Sequence, residues 1–217
     1  MRPLGIFGGT FDPIHFGHLR SAFELRQALE LQQVRLIPCG IPPHREPPVA
    51  AGSHRLAMLQ TAVDGVRGLA VDDRELKRTG PSYTADTLLS LRQDYPQTPL
   101  CLIMGADAFA SLNRWYRWET LLENAHIIVA FRPGVPLPER GPVAEALAAR
   151  RVTSGSELRR DAAGAILPWQ VTQLEISSSE IRAMVGKGQS PRFLMPESVW
   201  ELIRRRRLYH DQQKEHN

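Results

Sequence analysis

Apolar residues recur along this chain in two alternating rhythms. Short runs that are apolar at nearly every position (Leu4, Ile6 and Phe7; Val34 to Pro38; Leu69 to Asp72; Leu100 to Met104; His126 to Phe131) alternate with longer segments whose apolar residues fall three and four apart. Runs of the first kind are the pattern of strands buried on both faces, as in a parallel sheet, and the second spacing is that of a helix laid against one. The helical segments so predicted are carried by Leu19, Ala22, Phe23, Ala28 and Leu29, and by Leu56, Leu59, Ala62 and Val63 with Ser53 as candidate N-cap. Others run from Ala85 to Gln93, where Pro96 stops the chain, from Glu119 to Asn124, and from Val143 to Arg151. A weaker extended stretch spans Ile166 to Glu175; Ile176-Ser-Ser-Ser-Glu-Ile-Arg182 opens a short helix, and Pro196 a longer one through Trp200, Leu202 and Ile203.

A strand, a crossover helix and a further strand should place the two strands parallel. Repeated along the chain, the unit predicts an α/β fold: a doubly wound, mostly parallel sheet closed by C-terminal helices. With 217 residues and no break in composition, residues 1–217 are expected to form a single domain. Cys39 to Gly52, with four prolines, is expected to be a loop carrying His44 and Arg45.

Composition narrows the class. Hydrophobic content of 42% and charged content of 23% are those of a globular protein. The first residues lack the apolar stretch of a signal peptide, and no segment approaches membrane-spanning length. Cys39 and Cys101 stand alone, without a CxxC partner, so neither a zinc site nor a disulfide framework is expected, and a reducing cytoplasm is the default setting. The net charge of +4 is concentrated in Arg204 to Arg207. That run reads as the solvated end of a terminal helix, where cations suit the dipole, and no nucleic-acid partner is expected from it.

Gly8 to His18 falls between the first strand and the first helix. A glycine-rich turn at such a junction presents unpaired backbone N–H groups, which attract anions, and His15 and His18 stand three residues apart with Gly17 leaving room for close approach. Both imidazoles could donate to phosphate oxygens. Metal ligation by the pair lacks a third ligand and the i, i+4 spacing of a zinc helix; helix capping is the other structural reading.

Gly-Thr-Phe-Asp-Pro-x-His-x-Gly-His resembles the signature of the HxGH nucleotidyltransferase superfamily, and Ile176 to Arg182 resembles its second, C-terminal signature. Pro42-Pro-His-Arg45, Gly80-Pro-Ser-Tyr-Thr84, Gly105-Ala-Asp107 and Trp115-Tyr116 are similar, in order, to segments of the bacterial nicotinate mononucleotide adenylyltransferases. The resemblance implies a Rossmann-like fold and AMP transfer from ATP to nicotinate mononucleotide, giving deamido-NAD and pyrophosphate in NAD biosynthesis. Mg2+ would arrive with ATP, since the sequence shows no carboxylate cluster dedicated to a metal.

It also implies roles. His15, His18 and Arg182 would be catalytic. Gly8, Gly9, Thr10, Phe11, Gly17, Gly105, Asp107, Arg132, Ser177, Ser178 and Ser179 would bind ATP, with Asp107 on the ribose. His44, Arg45, Tyr83, Thr84, Trp115 and Tyr116 would bind the acceptor, Trp115 as platform for the pyridine ring, while Trp118 packs. Adenylyl transfer to nicotinamide mononucleotide and a non-catalytic nucleotide-binding regulator of the same fold are the alternatives. Oligomeric state is left open by these patterns.

Overall fold

The apolar runs become the strands β1 (Leu4–Gly9), β2 (Gln33–Pro38), β3 (Leu69–Val71), β4 (Leu100–Gly105), β5 (His126–Phe131) and β6 (Ile166–Gln170). They are seen in a computed structural model that describes residues 1–43, 46–132, 134–172 and 174–210. Between and after them lie α1 (Phe16–Ala28), α2 (Gly52–Val63), α3 (Arg74–Lys77), α4 (Thr84–Asp94), α5 (Ala106–Ala110), α6 (Glu119–Asn124), α7 (Pro142–Arg150), α8 (Ser178–Gly186) and α9 (Glu197–Arg205).

The six strands form one sheet in the order β3-β2-β1-β4-β5-β6, and every pairing is parallel. This is the Rossmann-like arrangement expected from the alternating pattern. Continuous apolar runs are needed because both faces are covered. In β4, Leu100, Leu102 and Met104 enter one core with α4, α5, α6 and α7. Cys101 and Ile103 enter the other, with α1, α2, α8 and α9. Period-two alternation is present, but apolar on both sides.

The chain builds outward from β1 to β3, then returns to the other side of β1 with β4. The order therefore reverses between β1 and β4, and the crevice beyond the carboxyl ends of those strands is where sheets of this kind bind ligands. Gly8 and Gly9 end β1 there, and Gly105 ends β4.

Some boundaries differ from expectation. Ser53 is not the cap of α2: the helix starts at Gly52, Ala51 holds the cap position, and no side chain caps it. The extended stretch expected to reach Glu175 is strand only over Ile166–Gln170, where it pairs with β5. The short helices α3 and α5 were not anticipated, because four or five residues are too few to display a helical period. Arg204 and Arg205 do close α9, exposed together with Arg206 and Arg207.

Candidate active site

The signature turn leaves β1 through Gly9 and Thr10, and two of its glycines answer to neighbouring rings. A Cβ at Gly9 would come within 2.9 Å of the Phe11 ring, and one at Gly17 within 3.0 Å of the His15 ring. Phe11 adopts φ 50, which turns its side chain down into the core at 1% exposure. Its ring meets His18 edge-on at 5.1 Å, and the His15 and His18 rings stack at 3.8 Å. Thus the expected phosphate-facing role of Phe11 is left to its backbone, while its ring is the floor under the histidines.

His15 holds the N-cap position of α1 without a side-chain cap bond, so the capping reading is not realised. Burial lowers His15 to about 4; burial, with His15 beside it, lowers His18 to about 3. Both rings are therefore neutral near pH 7, hydrogen-bond donors rather than fixed positive charges. Their Nδ1 atoms are buried without a hydrogen-bond partner, which leaves Nε2 as the atom to meet a ligand.

These depressed values make a stability prediction. The unfolded chain takes up protons near pH 6.5 and the folded chain does not, so stability is full above that value and falls as pH drops toward 4. The loss by pH 5 is at most about 2 kcal/mol per histidine. Urea midpoints at pH 7.5 and pH 5 should show a smaller drop for His18→Asn than for the parent; an equal drop would contradict neutral burial of the ring.

Asp12 was not singled out in the sequence, yet it organises the turn. At 2% exposure, its carboxylate accepts from Val49 N–H at 2.7 Å, Ala50 N–H at 3.1 Å and the Tyr209 hydroxyl at 2.6 Å. Arg55, also 2% exposed, donates to the carbonyls of Ala50 and Thr10 at 3.1 and 2.8 Å. Arg55 did carry a signal: it lies at helical spacing from Met58, Leu59 and Ala62, on the face that α2 buries. Tyr209 carried none, because its partner is far away in sequence.

The second signature meets the first directly. Ser177 caps α8 by accepting from Glu180 N–H at 3.2 Å, and Ser178 donates to the Pro13 carbonyl at 2.9 Å. Arg182 donates to the Asp12 carbonyl at 2.7 Å and to Ser179 Oγ at 3.5 Å. The Ser178 hydroxyl is thus committed to structure, whereas exposed Ser177 accepts in its cap bond and keeps its own O–H to donate beside the helix-start amides. Arg182 is poised between the two signatures.

Two cavities flank the end of β4, and Gly105 lines both. One, of about 290 Å³, runs from Gly8, Gly9 and Thr10 to Tyr83, Thr84, Trp115 and Tyr116. Tyr83 and Tyr116 face each other there at 4.4 Å; Trp115 and Trp118 are both half-buried against the same core, and of the two Trp115 borders this cavity. The other, of about 580 Å³, is bordered by Asp107, Arg132 and Ser177. Asp107 lies exposed in the first turn of α5, whose cap position is Gly105, so Asp107 is not an N-cap. Arg132 reaches Glu175 at 3.4 Å. His44 and Arg45 lie outside the described residues.

The family described as cytidylyltransferase-like matches residues 6–184. A Hahella chejuensis protein named nicotinate-nucleotide adenylyltransferase is 50% identical over 209 residues, covering 95% of each chain. A Cellvibrio japonicus protein of that name is 48% identical, over 96% of this chain and 100% of its own. Among solved structures, Plasmodium falciparum nicotinic acid mononucleotide adenylyltransferase complexed with NaAD is 17% identical, with TM-score 0.73 over 96% of this chain and 98% of that one, a likeness of fold.

Proposed function

The chain belongs to the cytidylyltransferase-like family, and within it to the nicotinate-nucleotide adenylyltransferases, and we infer from this that it transfers AMP from ATP to nicotinate mononucleotide. A phosphate oxygen of the mononucleotide bonds to the α-phosphorus of ATP, the bond to the bridging oxygen breaks, and pyrophosphate leaves. The attacking oxygen is already ionised at neutral pH, so no general base is needed. The residues have to align two polyanions and stabilise charge as pyrophosphate departs.

The observation that carries the residue assignment is the meeting of both signatures beside the two cavities at the β1/β4 switch. His15 and His18 donate from Nε2 to the ATP phosphates, with the amides of Gly9 and Thr10 along the phosphate path. A bound polyphosphate raises the pKa of both rings by its own negative charge. Gly8 and Gly17 keep the path open; Arg182 and the α8 start, Ser177 to Ser179, face the leaving phosphates. Asp107 accepts from a ribose hydroxyl, with Gly105 and Arg132 on the same side.

On the smaller cavity's side, Trp115 stacks on the pyridine ring, and the backbone near Tyr83, Thr84 and Tyr116 reads the nicotinate carboxylate. His44 and Arg45 are assigned to the mononucleotide phosphate on their sequence alone. Among the described residues no three His, Cys, Asp or Glu side chains come together to hold a metal ion. Mg2+ would arrive with the triphosphate and offset part of its charge. Among the described residues no helix is long and apolar enough to cross a membrane.

Aromatic stacking on a base is worth ~1–3 kcal/mol. Trp115→Ala should therefore raise the KM for nicotinate mononucleotide roughly tenfold to a hundredfold and leave that for ATP unchanged. Steady-state kinetics with each substrate varied tests this, and a rise confined to ATP would move Trp115 out of the acceptor subsite.

A further inference from the structure

Glu75, in α3, is only 8% exposed and lines the smaller cavity, although the roles above give it none. Its Oε1 accepts from the Thr87 hydroxyl, one turn into α4, at 2.7 Å. The Ser82 hydroxyl lies near the same carboxylate and favours its charged form. Ser82 Oγ in turn accepts from Gly40 N–H at 2.9 Å, and Ser82 N–H donates to the Ile41 carbonyl at 2.7 Å.

The backbone closes the same junction from the other side. A Cβ at Gly40 would lie 2.7 Å from the Glu75 carbonyl oxygen, so the chain after β2 can pass only as glycine. Ile41 and Pro81 pair there as an isolated parallel bridge. Glu75 thus sits where three segments meet: its carboxylate holds the start of α4 through Thr87, its backbone abuts Gly40 in the turn at residues 39–43, and that turn is bonded to Ser82 in the turn at residues 80–84.

Burial opposes the charged form of Glu75, and the two hydroxyls and Arg78 partly offset it. A neutral side chain would fill that space without the desolvation cost. What the carboxylate gains there is the bond to Thr87.

We propose that Glu75 is a positioning residue for the mononucleotide acceptor: by holding α4 through Thr87 where its backbone abuts Gly40, it keeps the 39–43 and 80–84 turns together as a clip and sets the opening of the acceptor cavity. The inference rests on the reading of that cavity as the acceptor subsite. The clip touches the ATP phosphate path only at its first residue, where Cys39 meets Gly9 and Thr10, so the effect should fall mainly on the acceptor.

Glu75→Gln and the nearly isosteric Thr87→Val test it in the full-length chain. Each should raise the KM for nicotinate mononucleotide about tenfold, as expected for a lost hydrogen bond to a charged group, with kcat and the KM for ATP close to the parent's. A second readout needs no substrate. Cys39 sits on the cavity wall beside Gly40, whereas Cys101 is fully buried. Labelling with dithiobis(nitrobenzoic acid) should therefore become severalfold faster at Cys39 in both variants and stay slow at Cys101. Parent-like labelling in both variants, or equal rises in both KM values together with a lower Tm, would overturn the clip. If the parent fails to use nicotinate mononucleotide, the functional reading falls, and Cys39 labelling alone still decides the clip.

Discussion

His18→Ala should lower kcat by about 10²–10³, equivalent to ~2.7–4 kcal/mol of transition-state stabilisation, the magnitude found when one preorganised oxyanion donor is removed. The ring is held for this task. It stacks on His15 at 3.8 Å and rests edge-on against Phe11 at 5.1 Å, so little reorganisation is needed when charge develops on the phosphates. Being neutral, with a pKa lowered to about 3, it should bind ground-state ATP only modestly and act mainly where charge increases. The loss should therefore appear in kcat more than in KM for ATP. Loss of the ring also removes packing, so circular dichroism at the assay temperature must show a folded variant. A folded His18→Ala enzyme within threefold of the parent's kcat would reduce His18 to a packing residue.

Asp12→Ala should be the most destabilising single change near the site. It would leave Val49 N–H, Ala50 N–H and the Tyr209 hydroxyl without their acceptor, and Arg182 without the carboxylate 4.0 Å away. Removing one partner from a buried charged network costs about 3–5 kcal/mol. In a chain of this length that is a fall in Tm of roughly 6–20 °C. Asp12→Asn keeps one acceptor oxygen and the shape, so its Tm should lie between the two. A thermal melt of Asp12→Ala within a degree or two of the parent would show that the network does not hold the turn.

The sheet was legible because its strands are apolar on both parities: Leu100 to Met104 could only be a strand covered on both faces. The short helices were not, and with α3 went Glu75, whose significance depends on Thr87 and Ser82 approaching it. Arg55 shows a signal passed over: reading only apolar residues on α2 hid a charged side chain on its buried face. Asp12 and Tyr209 show the opposite case. No local pattern joins residues that meet only after the C-terminal segment has folded back under the first turn.

The two candidate segments were readable through their resemblance to the family's signatures, and the structure brings them together at Pro13, Asp12, Ser178 and Arg182. Their division of labour was not readable. Which hydroxyl caps, which ties two segments and which faces a ligand depends on side-chain direction: Ser177 caps α8 while staying exposed, and Ser178 turns to the Pro13 carbonyl. The histidines' charge was equally hidden, because desolvation is a property of the packed ring pair.

Pyrophosphate release by the purified chain with ATP is the most direct test of adenylyl transfer to nicotinate mononucleotide. Nicotinate and nicotinamide mononucleotide are supplied in turn as acceptor, and the dinucleotide product is identified by mass. The predicted result is nicotinate adenine dinucleotide, formed with the higher kcat/KM of the two acceptors. Equal or faster turnover of nicotinamide mononucleotide, or no pyrophosphate with either acceptor, would contradict it.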